Sequence, residues 1–117
     1  MVRSGFDPLM LGRDGEDVVA RWYEARDYRV LARNWRCSDG ELDLVLARGD
    51  TVVVCEVKTR STDRFGSPFD AVDHRKQRRL RRLAARWLQE SPIRPAVVRF
   101  DVAGVVSRRV EVIEDAF

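Results

Sequence analysis

Asp43, Glu56 and Lys58 are the residues whose types and spacing suggest chemistry, and they stand on two neighbouring apolar runs, residues 41–47 and 51–59. Gly49-Asp50 between the runs is a two-residue hairpin signal, with glycine in the first central position. Such a turn sets Arg48 opposite Thr51, and the same register sets Asp43 opposite Glu56 and Glu41 opposite Lys58. Side chains alternate along a strand, so Asp43, Val45, Val54, Glu56 and Lys58 share one face. Leu42, Leu44, Leu46, Val53, Cys55 and Val57 form the other, wholly apolar face, which must be core. Opposed Cβ atoms lie ~4.5–5.5 Å apart, and like charges there destabilise the pair by up to roughly 1 kcal/mol. Two carboxylates held that close share a proton or bind a cation. Oxygen ligands suit a hard ion, Mg²⁺ or Mn²⁺, better than zinc. A divalent ion, two carboxylates and the Lys58 ammonium are the parts needed to hydrolyse a phosphodiester. The ion polarises the phosphate and lowers the pKa of a water; the lysine orients that water or stabilises developing charge. Glu-x-Lys alone also fits an exposed edge strand with alternating charges. The opposed Asp43 sets this pair apart, because a merely solvated face would place Lys or Thr opposite Glu56.

Two helices must flank this hairpin. Apolar spacing of Val19, Ala20, Trp22 and Tyr23 predicts a helix over residues 12–27. Glu16 falls on its inward face, where it is either a further site acid or a first-turn acid favoured by the helix dipole. A second helix, residues 74–89, buries Leu80, Leu83, Ala84, Trp87 and Leu88, with Asp73 as its N-cap. Extending that stripe back one turn reaches Lys76 and Gln77, which either line the site or cap the stripe at the solvent edge. The same helix carries Arg75, Lys76, Arg78, Arg79, Arg81, Arg82 and Arg86 with no acid among them. A solvated face ordinarily mixes signs, so this one reads as a polyanion surface, with solubility or an acidic protein partner as the alternatives. Its contacts would be to phosphates and would carry little sequence information.

The remaining elements follow from punctuation. Residues 1–11, with Gly5 and Pro8, read as a flexible lead-in to a single domain over residues 12–117. Imperfect alternation over residues 28–36 predicts a strand, closed by the turn cluster Cys37-Ser38-Asp39-Gly40. Residues 60–68 read as a polar loop, with Ser67-Pro68 starting a short helical turn. Pro92 and Pro95 end the second helix, and two strands, residues 97–102 and 108–113, follow around Gly104. The order α-β-β-β-α-β-β describes an α/β domain with a central mixed sheet flanked by helices.

Composition excludes several classes. The chain has 117 residues, 44% hydrophobic and 35% charged, with a formal charge of +3, which fits one soluble domain. No apolar run approaches the ~20 residues of a spanning helix, and no secretory signal is visible. Cys37 and Cys55 stand apart, so neither a disulfide framework nor a zinc site is indicated, and a reduced cytoplasmic compartment is the simplest expectation. The single histidine, His74, reads as a helix-start residue rather than a catalyst. No GxxxxGK[ST] run points to ATP. Trp35 reads as core rather than as a base-stacking platform.

The segments GEDVVARWYEARDYRVLARNWRC, GELDLV, VCEVKTR, FGSPFDAV and KQRRLRRLAARWL together resemble the YraN family of small uncharacterised bacterial proteins. The resemblance runs in order over residues 12–102. That family looks like a member of the PD-(D/E)XK nuclease superfamily, with the restriction-endonuclease-like fold, and is similar to archaeal-type Holliday-junction resolvases. By this resemblance the first-helix acid is Glu16, the metal-binding aspartate is Asp43, and the (D/E)-x-K element is Glu56-Val57-Lys58. The backbone carbonyl of Val57 would be a further metal ligand. Asp43 lies in GELDLV with no preceding proline, as is usual in the resolvase-like branch. The expectation is a Mg²⁺- or Mn²⁺-dependent nuclease acting on DNA rather than RNA, on branched or damaged structures in repair or recombination. A chain with one site needs a symmetric homodimer to cut both strands of a junction. The nucleic-acid surface would be Arg75, Lys76, Arg78, Arg79, Arg82 and Arg86. A non-catalytic nucleic-acid-binding module and a protein-interaction adaptor built on the arginine helix are the competing expectations.

Overall fold

The computed structural model describes residues 8–60, 70 and 72–117, with residues 8–14 as backbone only. Helix α1 (Pro8–Glu24) is followed by β1 (Arg29–Cys37), β2 (Gly40–Arg48), β3 (Thr51–Arg60), α2 (His74–Glu90), β4 (Val97–Val106) and β5 (Arg109–Ile113). The strands form one sheet in the order β1-β2-β3-β4-β5. Hairpins make β1–β2, β2–β3 and β4–β5 antiparallel, and the crossover through α2 makes β3–β4 parallel. The product is the α/β domain with a mixed sheet that the sequence predicts.

Helix α1 starts at Pro8, earlier than expected, because a proline with fixed φ suits a first helical turn. The lead-in expected over residues 1–11 is therefore helical from Pro8. Residues 1–7 lie outside the described residues, as do most of the expected polar loop and the helical start at Ser67-Pro68. The helix stops at Glu24 rather than near Asp27. There Asp27 takes a left-handed φ of 68°, its N–H donates to the Glu24 carbonyl at 3.1 Å, and the Tyr28 N–H donates to the Tyr23 carbonyl at 3.1 Å. This is a Schellman closure, and its apolar seal is the edge-on contact of the Tyr23 and Tyr28 rings at 5.1 Å. In α2, Asp73 is the N-cap as expected, its side chain accepting from the Lys76 N–H at 2.9 Å.

The β2–β3 register is the expected one from Arg48↔Thr51 to Leu44↔Cys55, with Gly49 at φ 58° in the turn. The expectation of one core face is corrected, because both faces of the sheet are buried. Leu44, Leu46, Val53 and Cys55 pack with Val19, Ala20 and Tyr23 of α1. Val45, Ala47, Val52 and Val54 pack with Leu80, Leu83, Ala84 and Trp87 of α2. Two amphipathic helices need two apolar sheet faces, so the sheet is the middle of three layers. Leu42 also changes side and joins the α2 cluster.

The imperfect alternation in β1 has a cause in a bulge between Val30 and Ala32. Trp35 is half-buried against the α2 cluster, and both cysteines are free, on opposite faces of the sheet. The last turn falls at Ser107 and Arg108, not at Gly104, which is buried within β4. Both turn residues have left-handed φ, 48° and 65°, in a turn without the usual glycine or asparagine. Under α1 lies a polar network that sequence reasoning missed. Asp101 is fully buried and accepts from the Tyr23 hydroxyl at 2.6 Å, from Arg99 at 2.9 Å and from the Asp115 N–H at 3.0 Å.

Candidate active site

The hairpin loses its ladder where chemistry was expected. Between β1 and β2 the pairing runs Arg33↔Leu44 and then Trp35↔Leu42, passing over Asn34 and Asp43. Asn34 takes a left-handed φ of 52° at this step. Between β2 and β3 the last ladder pair is Leu44↔Cys55, so Asp43 and Glu56 are not backbone partners. The Asp43 carboxylate itself accepts the Val57 N–H at 2.8 Å, in place of the main-chain acceptor a continued ladder would supply. This kink carries Leu42 to the α2 side and leaves Asp43 against Glu56.

The electrostatics register that closeness. Burial pushes the Asp43 carboxyl up to about 8, reinforced by the Glu56 charge and a hydrogen bond with the Glu56 side chain; the Val57 N–H pulls the other way. Glu16 contributes to the same field from α1. Its own carboxyl is raised by burial, while the Asn34 side chain and the Arg33 charge oppose the rise. Glu16 Oε1 is buried with no hydrogen-bond partner. Glu16 lies in the body of α1 and not in its first turn, so the helix-dipole alternative does not apply to it.

Other expectations need correction. Glu41 does not face Lys58; it accepts from Arg36 at 2.8 Å across the β1–β2 pair. Gln77 turns to the Val72 carbonyl, to which its amide donates at 3.2 Å, and so braces the approach to α2. Lys76 is brought against Glu56, with which its ammonium pairs. It is thereby withdrawn from the arginine face. Arg75, Arg78, Arg79 and Arg82 are exposed on α2. Arg86 is committed to Glu90 at 3.2 Å and Asp39 at 3.7 Å, and Arg81 lies over the rings of Phe100 and Phe117. Lys58 is exposed, on the same strand face as Glu56.

Among the described residues, no group of three or more His, Cys, Asp or Glu side chains converges to hold a metal ion. Asp43 and Glu56 remain as a two-carboxylate donor set. That set fits Mg²⁺, which binds through one or two carboxylates and keeps several of its waters. The orphaned Glu16 oxygen does not complete a three-ligand group with Asp43 and Glu56.

The model of the uncharacterised protein family UPF0102 matches residues 15–105, which include Glu16, Asp43, Glu56, Lys58 and all of α2. The chain belongs to the UPF0102 family. A UPF0102 protein of Parafrankia sp. strain EAN1pec is 59% identical over 99 residues, covering 85% of this chain and 84% of its own length. One from Frankia casuarinae is 56% identical over 113 residues, covering 92% and 95%. One from Mycolicibacterium vanbaalenii is 51% identical over 100 residues, covering 85% and 83%. This is the family, also called YraN, that the sequence segments resemble. The relatives' names state membership and no activity. No helix among the described residues is long and apolar enough to cross a membrane.

Proposed function

We propose that this UPF0102 chain is a metal-dependent nuclease of the PD-(D/E)XK type, with a restriction-endonuclease-like fold, and that it hydrolyses DNA phosphodiester bonds in branched or damaged DNA. The observation that supports the reading is the half-buried Asp43 carboxyl held against Glu56 at a break in the β2–β3 ladder, with Lys58 two positions along the same strand face. A sheet that needed only stability would not interrupt its ladder to appose two acids. Asp43 and Glu56, with the Val57 carbonyl, would hold Mg²⁺ or Mn²⁺. A bound divalent cation supplies phosphate polarisation and a water of lowered pKa. Lys58 would orient a water or stabilise charge on the phosphate oxygens. Glu16 would hold a second water by its buried, unpartnered oxygen. Arg75, Arg78, Arg79 and Arg82 bind backbone phosphates beside the site.

One observation favours a second reading, a nucleic-acid-binding module without catalysis: a lysine already neutralises Glu56, and among the described residues no third metal-ligating side chain converges. Cleavage of labelled linear, single-stranded and four-way-junction DNA decides between them, run with Mg²⁺, Mn²⁺ or EDTA and beside Glu56→Gln. Metal-dependent cutting that Glu56→Gln lacks establishes the nuclease and ranks its substrates. Salt-sensitive binding without cutting under any of these conditions supports the binding module.

A further inference from the structure

Lys76 does something that neither of its expected roles describes. It is the fourth residue of the stretch that opens α2 at Asp73, and its backbone N–H is fixed by the Asp73 cap. Leu80, Leu83 and Trp87 follow it on the sheet-facing stripe. The side chain therefore reaches down to the sheet, where its ammonium meets Glu56 Oε2, while the neighbouring arginines face solvent. The Glu56 side chain is only 12% exposed and that of Lys76 is 40% exposed. A half-exposed cation thus closes the solvent side of a nearly buried carboxylate.

We propose that Lys76 is a built-in counter-ion that competes with a divalent cation for Glu56. With no metal bound, its ammonium neutralises the carboxylate that Asp43 crowds. A divalent ion and an ammonium repel each other at the same oxygen, so loading the site displaces Lys76. The displaced side chain is long, flexible and already partly in solvent, so it leaves without disturbing the Asp73 cap. Metal binding then frees a cation at the mouth of the site, where it becomes available to a phosphate. This inference rests on the metal-site reading above, and it names the residue that sets metal affinity.

The test measures Mn²⁺ binding to the full chain by electron paramagnetic resonance of the free ion, without any substrate. Lys76→Gln is compared with wild type, with Glu56→Gln, and with Arg78→Gln, which makes the same charge change on the exposed face of α2. The expected result is binding at least about threefold tighter in Lys76→Gln, the scale of losing one competing ion pair, with a smaller change in Arg78→Gln. Equal changes in the two variants would reduce Lys76 to background charge and overturn the proposal. So would unchanged or weaker binding in Lys76→Gln. Binding that Glu56→Gln abolishes but Lys76→Gln leaves alone sinks the counter-ion and keeps the metal site; no binding by wild type or Lys76→Gln sinks both. Amine acetylation read by peptide mass gives an independent check in the wild-type chain. Lys76 should label faster when Mg²⁺ is added, and a rate indifferent to Mg²⁺ contradicts displacement.

Discussion

The pH response of a single carboxyl exposes the tension at Asp43. Burial and Glu56 keep a proton on it up to about pH 8, whereas an unfolded chain releases that proton near pH 4. Across this window the native state binds more protons than the unfolded state, so stability falls as pH rises through it. The urea midpoint of metal-free protein should therefore decline from about pH 5 to about pH 8. Asp43→Asn keeps an oxygen to accept the Val57 N–H but cannot ionise, so it should flatten that decline and raise the midpoint at pH 8. A midpoint below wild type at pH 8 would make the carboxylate a structural group. Asp101 is the opposite case. It is fully buried, but Arg99, Tyr23 and the Asp115 N–H satisfy it, and the carboxylate in turn holds the Arg99 guanidinium above its usual range. Asp101→Ala strands Arg99 and the Tyr23 hydroxyl together, and equilibrium unfolding should show a loss of roughly 3–5 kcal/mol. A loss under about 1 kcal/mol would mean that Glu114 and water replace the carboxylate.

At the level of elements, the approach of α1 to β3 depends on one missing methyl group. A Cβ on Gly15 would lie within 1.9 Å of Thr59 Oγ1 and 3.2 Å of Thr59 Cβ. Alanine at a helical position is ordinarily favoured over glycine by about 1 kcal/mol. Here Gly15→Ala should instead destabilise, because Thr59 is β-branched and its Cβ cannot rotate away. It should also shift Glu16, the next residue, away from Asn34, and adding Thr59→Ala should restore part of the lost melting temperature. Asp27→Gly should act in the other direction, stabilising by roughly 0.5–1 kcal/mol in thermal unfolding, since its left-handed φ then carries no Cβ penalty. These local contests explain what was legible in the sequence. The hairpin, α2 and its Asp73 cap rest on signals within a few residues, and they appear where expected. The two-sided core was misread because Val45, Val52 and Val54 look like one face of a half-solvated strand until α2 covers them. The turn at Ser107 and Arg108 lacks the residues that announce left-handed φ, so Gly104 drew the boundary instead. Residue type and hairpin register single out Asp43, Glu56 and Lys58, and helical spacing singles out Glu16; the ladder itself stops one pair short of Asp43. Asp101 has one partner within local reach, Arg99 two residues before it, but its burial depends on Tyr23 of α1 and on the Asp115 N–H beyond β5, which no local pattern announces.

On the scale of the whole molecule, the three layers bring separate charges to one end of β3. Helix α1 supplies Glu16, the broken ladder supplies Asp43 and Glu56, and α2 supplies Lys76 below and arginines above. Glu56 and Lys58 sit in the C-terminal half of β3, beside Val102 and Gly104 of the parallel strand β4. Ligands of α/β sheets commonly meet the chain at such carboxyl ends. The excess positive charge is small, +3 over 117 residues, so attraction for a polyanion must come from its distribution. Arg75, Arg78, Arg79 and Arg82 recur at helical spacing on one exposed face, whereas Arg81 and Arg86 are held by aromatic rings and acids. Replacing Arg78, Arg79 and Arg82 together with Ala should leave the melting temperature nearly unchanged, since none belongs to the core. The same variant should bind duplex or junction DNA more weakly, and its log-affinity against log-salt slope should fall by roughly one per arginine lost. Replacing Arg81 and Arg86 should change that slope less, because their partners already neutralise or cover them. An equal fall in the two variants would mean that the proposed DNA contacts do not discriminate between the faces of α2, and a triple variant with an unchanged slope would assign the exposed arginines to solubility.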